Sequence, residues 1–237
     1  MRIFAVRIGK KFGQDVEDYI NSKLPNVTWI RDSLPGVNLQ WNKMRVMNMD
    51  IDEPVVVIDI DLEFINDYMD AFEYPIERGE FLSAKSWWRD TARSDLSYSV
   101  NGGFFKYYPK DCKYIYDKFM KDKFYWQNYY IKNGTTVGPV NGEQYFVEDN
   151  VNEELELITV PESWVCRWCA KEDIGVKAFD LTKWKIQTTK LYNKVTGNDY
   201  VYLGGEFHPD IKMVHFTHAT NKPHDWEDIN AFRETEK

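Results

Sequence analysis

Apolar residues run almost without interruption through RIFAVRI, from Arg2 to Ile8, and such a run closed by turn residues predicts a buried strand. A Gly-containing turn, GKKFG, follows, and helical spacing then predicts an amphipathic helix from Gln14 to Lys23. VTWI predicts a second strand, and Pro35 and Gly36 mark a turn. LQWNKMRVMNM has the spacing of a helix leading into the apolar run VVVIDIDLEFI, Val55 to Ile65. EFLSAK and YSVNGGFFKYY predict strands, and Asp111 to Ile131 one long aromatic helix. NGTTVGPVNG predicts a loop, GEQYFVEDN a short helix, LELITV a strand, and IKMVHF a last strand before a polar, His-rich tail. The span from Ser163 to Gly205 is mixed in pattern. Strands alternating with helices predict an α/β fold with a mostly parallel central sheet flanked by helices, ligands binding beyond the carboxyl ends of the strands. Without a repeat or a Pro/Ser-rich linker, a single domain over residues 1–237 is expected, with a solvated tail from about 227.

The Val55 run ends on two carboxylates, Asp59 and Asp61. Alternation along a strand directs both to one side. Like charges held together repel unless a cation lies between them, and hard oxygen ligands suit Mg²⁺ or Mn²⁺. A divalent ion and a phosphate are therefore expected; the plainer alternative is that both aspartates only end the strand and open a turn. At the end of the last strand, HFTHATNKP brings together His215, His218 and Lys222. Imidazole joins carboxylates on Mn²⁺, and a lysine supplies a point charge for phosphate. A strand-end histidine taken singly is more often structural.

With 30 basic against 38 acidic residues the formal charge is −8, which argues against a nucleic-acid partner. No apolar run reaches the roughly 18 residues of a membrane span, and MRIFAVRIGKK is too short for a secretory h-region. A soluble, cytoplasmic protein is expected. Its wealth of Asn, Lys, Asp and Tyr points to an AT-rich genome. Cys112, Cys166 and Cys169 make no disulfide framework, and the C-x-x-C pair lacks further zinc ligands, so a structural role is expected. The sequons at Asn26 and Asn133 carry no weight without secretion.

The order of these motifs resembles that of the GT-A glycosyltransferases, above all the glycogenin-like and bacterial galactosyltransferase group, which use a nucleotide sugar and Mn²⁺. The resemblance covers residues 1 to about 226. It implies that Asp59, Ile60 and Asp61 form the metal-holding aspartate-x-aspartate element, and that Asn42, Lys43 and Met44 match the family's threonine-lysine-leucine element, Lys43 standing sixteen positions before Asp59. NGGFFKYYP resembles the asparagine-small-glycine element, with Asn101 facing the sugar, and Glu143 and Gln144 resemble the aspartate-glutamine pair beside the transferred sugar. HFTHATNKPHDW resembles the family's histidine-and-lysine element, implying His215 as third protein ligand of the metal and Lys222 on the diphosphate. The departures are Glu143 for aspartate, His218 for glycine, one extra residue before Lys222, and His224 after Pro223. They leave His218 as an alternative ligand, with His215 preferred because Phe216 follows it. Phe12 resembles the family's aromatic next to the nucleobase, with ordinary loop packing as its alternative.

On this resemblance the donor is a nucleotide diphosphate sugar, UDP-linked by family pattern, the acceptor is a glycan or other hydroxyl compound, and a compact enzyme of this kind suits a bacterium or a large virus, in the latter case with the host cytoplasm as its place. Retention is implied by the group, with Gln144 or Glu143 near the β face of the sugar, whereas an inverting course needs a carboxylate base such as Glu143, Asp95 or Glu206. Trp87 and Trp88 are candidates for the acceptor cleft, with Arg89 or Arg93 near the diphosphate, while most aromatics are expected in the core. Two alternatives stay open. A haloacid-dehalogenase-like phosphatase also starts from a strand and aspartate-x-aspartate, but Glu63 stands where it needs threonine or valine. A non-catalytic carbohydrate-binding module accounts for the aromatics and not for the metal, lysine and asparagine set.

Overall fold

The computed structural model describes residues 1–10, 12–64, 67–85, 100–133, 142–168 and 212–216. The chain divides into two compact units, 1–60 with 74–160, and 61–73 with 161–237. No helix among the described residues is long and apolar enough to cross a membrane.

The larger unit is built on β1 (Arg2–Val6), β2 (Val27–Ile30), β3 (Val55–Ile58), β5 (Glu80–Lys85), β6 (Val100–Tyr107) and β7 (Glu156–Thr159). They form one sheet in the order β2-β1-β3-β6-β5-β7. β1 lies parallel to β2 and β3, and β5 parallel to β7, while β6 is antiparallel to both of its neighbours. Five strands thus share one direction and β6 alone runs against them, so β6 begins at the edge where β3 ends. Every residue of β3 is fully buried, as a strand covered on both faces requires.

Helix α1 (Gln14–Lys23) joins β1 to β2 and buries Val16 and Ile20. Between β2 and β3 the helix expected over LQWNKMRVMNM winds as a 3₁₀ helix, Leu39–Asn48. Trp41, Met44 and Met47 are all buried, and a spacing of three residues stacks them in one column when there are three residues per turn. Trp41 stacks on Phe119 with ring centroids 5.2 Å apart. The long aromatic helix expected from Asp111 to Ile131 is two helices, α3 (Pro109–Lys121) and α4 (Lys123–Asn133). Asp122 separates them: its N–H bonds the Phe119 carbonyl to close α3, and its carboxylate accepts from Tyr125 N–H in the first turn of α4. The run Lys121-Asp122-Lys123 places this break in water, where a helix gains no packing by continuing. Helix α5 (Glu143–Glu154) starts after Gly142, whose φ of +107° is the left-handed conformation that favours glycine and whose added Cβ would fall 2.7 Å from Tyr130 Cβ.

In the smaller unit β4 (Leu62–Phe64), β8 (Val165–Trp168) and β9 (Met213–Phe216) form a sheet in the order β4-β9-β8. β9 is antiparallel to β4 and parallel to β8. The apolar run from Val55 is therefore two strands, with Asp59 to Asp61 between them. The same-side argument from strand alternation does not apply, because β3 ends at Ile58 and residues 60 and 61 form a bend. Helix α2 (Met69–Glu73) is tied to β9 by Lys212, whose ammonium meets Asp70 at 2.7 Å and the Trp164 ring at 4.8 Å.

Candidate functional site

Where β3 ends and β6 begins, the sheet carries an irregularity that organises the surrounding side chains. Across β5 and β6, Ser83 pairs with Phe105, yet its neighbour Ala84 pairs with Asn101. Gly102, Gly103 and Phe104 thus drop out of the ladder with β5, as in a β-bulge. Their backbone groups find other partners. Gly102 N–H donates to Gln144 Oε1 at 2.9 Å, and Gly102 carbonyl accepts from Lys43 Nζ at 2.6 Å. Gly103 N–H donates to Asn101 Oδ1 at 2.6 Å, and Gly103 carbonyl accepts from Asp59 N–H at 2.9 Å. The Ser83 hydroxyl lies 3.2 Å from the Phe104 carbonyl.

Four of the residues singled out from the sequence therefore meet around one stretch of backbone: Lys43 from the 3₁₀ helix, Asp59 from the end of β3, and Glu143 and Gln144 from the first turn of α5. Lys43 is buried, 2.6 Å from Asp59 Oδ1 and 3.7 Å from Glu143 Oε2. Glu143 Oε1 is buried and has no hydrogen-bond partner among the described residues. Burial pushes the Glu143 carboxyl up to about 7, with Lys43 opposing and Asp59 adding to the rise. A carboxyl of that kind exchanges its proton near neutral pH, which suits acid or base work. A Cβ at Gly102 would lie 3.1 Å from Gln144 Oε1 and 3.3 Å from Glu143 Oε2, so glycine lets the α5 terminus approach the strand.

Asn101 is buried on β6 and its amide oxygen is engaged by Gly103. Asn42, beside Lys43 on the 3₁₀ helix, is a framework residue: its carboxamide accepts from Leu34 N–H and donates to the Val37 and Leu39 carbonyls. Phe12 is half-buried in the loop after β1, and its carbonyl faces Arg7.

In the smaller unit, Leu62 pairs with His215 across β4 and β9, and this register brings the preceding Asp61 to the histidine. His215 Nε2 lies 3.2 Å from Asp61 Oδ1. Only Ile60 separates Asp61 from Asp59 in the chain. Two carboxylates and an imidazole are donors that Mn²⁺ accepts. His218 and Lys222 lie outside the described residues, as do Trp87, Trp88, Arg89, Arg93, Asp95, Glu206 and the loop at 134–141. Cys112 is a buried, unpaired thiol whose pKa burial raises well above its ordinary value, in keeping with a structural role.

Two features had not been anticipated. One is the use of Gly102 and Gly103 as backbone partners of the site, for which two successive glycines inside a strand pattern are a signal. The other is Glu17 on α1, which is buried and held by Arg7 beyond β1 and Arg31 beyond β2.

No family model and no curated protein matches the sequence. Solved structures do match in fold. The galactosyltransferase LgtC, determined in complex with donor and acceptor sugar analogues, superposes with a TM-score of 0.52 over 99% of this chain and 96% of its own, at 10% identity. The glycosyltransferase GlyE of Streptococcus pneumoniae TIGR4 gives 0.53 at 13% identity, over 99% of this chain and 63% of its own. The chain has a GT-A fold. The bifunctional glycosyltransferase WbbM, at 0.50 and 10% identity, shares it over 98% of this chain and 49% of its own. The α/β expectation, with a mostly parallel mixed sheet flanked by helices, is met by the larger unit of this GT-A chain.

Proposed function

We propose that the chain is a glycosyltransferase that moves a sugar from a nucleotide diphosphate sugar, UDP-linked, to a hydroxyl of a glycan or other acceptor, with Mn²⁺ or Mg²⁺. The observation that carries this reading is the convergence of Lys43, Asp59, Glu143 and Gln144 on the bulged start of β6, at the carboxyl end of β3 in a GT-A fold. Binding at that edge is what such sheets provide.

The residues fit the ion. Asp61 and His215 converge to 3.2 Å, and with Asp59 they offer two carboxylate oxygens and an imidazole nitrogen, one ligand atom each. Asp59, Asp61 and His215 would hold it. When bound, it supplies Lewis-acid stabilisation of the negative charge on the departing diphosphate. Lys43 contributes a fixed positive charge beside Asp59, and Lys222 a second by resemblance. Phe12 stacks on the nucleobase. Asn101, Glu143 and Gln144 bear on the transferred sugar. With its oxygen held by Gly102, Gln144 meets the sugar through its NH₂ group. Configuration is retained, with Glu143 or Gln144 near the β face; both units serve one catalytic domain, and the enzyme acts in the cytoplasm.

Thermal stability with UDP, GDP, CDP and TDP, each with and without Mn²⁺, tests the donor site on the wild type and on Asp61→Ala. A ligand at 100 times its dissociation constant stabilises by about 2.7 kcal/mol. The expected result is a rise with one diphosphate that needs Mn²⁺ and is absent in Asp61→Ala. A rise with none of them contradicts the donor-site assignment.

A further inference from the structure

We infer that Lys43 is a built-in counter-cation of this site, one that keeps the free protein from holding a divalent ion tightly, so that the ion is retained only together with a nucleotide diphosphate. The inference rests on the proposed donor site and concerns the order in which that site fills.

Lys43 is held in place more firmly than a surface ion pair would be. Its side chain is 3% exposed. It leaves a 3₁₀ helix whose apolar column is packed in the core, and its ammonium donates to the carbonyl of Gly102 at 2.6 Å. That carbonyl is fixed in turn, because the same residue's N–H is bound by Gln144 at the start of α5. An ammonium has donors only, and a second direction of donation goes to Asp59 Oδ1, also at 2.6 Å. Glu143 Oε2 faces it at 3.7 Å. One oxygen of the first aspartate is thus already engaged by a unit positive charge that the backbone anchors.

The consequence is electrostatic. Asp59 and Asp61 offer an ion two formal negative charges, and Lys43 offsets one of them at a distance of one hydrogen bond. A dication entering beside Asp59 meets the attraction of its carboxylate and the repulsion of a buried, fixed ammonium, and charges at a partly buried site interact more strongly than in water. Small hard dications are ordinarily bound through one or two carboxylates together with substrate phosphates and not by all-protein cages. A diphosphate reverses the balance. Its oxygens add ligands and negative charge, and the ammonium that had repelled the lone ion becomes a partner of the same phosphates.

The test follows the electron paramagnetic resonance signal of free Mn²⁺ on the full chain, for wild type, Lys43→Met and Lys43→Arg, with Mn²⁺ alone and with each of the four nucleoside diphosphates. In the wild type the expected result is weak binding of Mn²⁺ alone, tightened at least tenfold by the preferred diphosphate. Lys43→Met, checked for folding by circular dichroism, is expected to bind Mn²⁺ alone at least fivefold tighter and to respond less to nucleotide. Lys43→Arg, which keeps the charge, should behave as the wild type. Unchanged or weaker binding of Mn²⁺ alone by folded Lys43→Met overturns the inference, because losing a merely structural tie does not strengthen a metal site. Should that variant not fold, the wild type still decides: equal Mn²⁺ affinity with and without nucleotide overturns the inference and leaves the donor site standing. Failure to take up Mn²⁺ with any diphosphate removes the proposed metal-dependent donor site and this inference with it.

Discussion

Glu17 and Glu143 are both buried carboxylates carried by helices that flank the same sheet, 1% and 4% exposed, yet their surroundings treat them in opposite ways. Glu17 receives Arg7 and a two-pronged contact from Arg31, with Nε at 3.0 Å and Nη2 at 2.8 Å, and Gln14 adds a weaker donor. The Arg31 hydrogen bond, outweighing burial and joined by Arg7, pulls its carboxyl below the ordinary value. Among the described residues Glu143 has one lysine at 3.7 Å, shared with Asp59, and an oxygen with no partner, and burial pushes it up to about 7. A buried acid with its lone pairs filled is a clamp, here joining α1 to the ends of β1 and β2. A buried acid left half-satisfied stores an unmade interaction, and such groups collect where a substrate completes them.

The sharpest way to break this contrast is to neutralise each acid without changing its shape. Glu143→Gln should lower sugar transfer by about 100-fold or more, within the 10²–10⁴ range of a positioned acid or base, while its melting temperature stays level or rises. A transfer assay beside a melting curve reads both. Glu17→Gln should instead cost stability, about 2 kcal/mol, below the figure for a fully buried pair because Arg31 is half exposed. Transfer per folded molecule should stay near that of the wild type, and denaturant unfolding with an activity assay decides it.

The contrast sharpens with pH, measured on metal-free protein. Glu143 binds its proton more tightly folded than unfolded, so its contribution is fully present below the ordinary value of 4.5 and is lost as pH rises through about 7. Glu17 has the opposite sign. Its contribution is present above 4.5 and disappears as pH falls through its lowered folded value. Difference curves of each glutamine variant against the wild type should therefore diverge at opposite ends of the scale. The smallest effect expected is that of Gly102→Ala, whose new methyl meets Gln144 and Glu143 at 3.1 to 3.3 Å. About 1 kcal/mol of stability should be lost, with slower transfer as α5 is pushed from β6, and unchanged values in both assays would show that the strand tolerates the shift.

Much of the framework was legible because its signals are local. The helix from Gln14 to Lys23 and the strands VTWI and EFLSAK fall where their spacing puts them. The 3₁₀ winding of Leu39–Asn48 was not, since Trp41, Met44 and Met47 satisfy a helical pattern of either pitch. The three-residue strand β4 was concealed inside an apolar run that reads as one strand, and its sheet is assembled from segments about 100 and 150 positions further on, beyond any local period. In the site, the spacing from Lys43 to Asp59 pointed to a shared role. That the two form an ion pair, with the Gly102 carbonyl as a second acceptor for Lys43, follows from a bulge that the paired glycines signal but whose partners no local pattern names. Nor does any local pattern tie Glu17 to Arg31; that pair exists because β1 and β2 lie parallel and end together.

Release of nucleoside diphosphate from a panel of nucleotide sugars with Mn²⁺, measured on wild type, Glu143→Gln and Glu17→Gln at matched folded concentration, separates a catalytic Glu143 from a structural Glu17. That division of roles predicts release by the wild type from one nucleotide class, release at least about 100-fold slower from folded Glu143→Gln, and near-normal release from folded Glu17→Gln. Equal rates for Glu143→Gln and the wild type, or loss of release in folded Glu17→Gln alone, would contradict it.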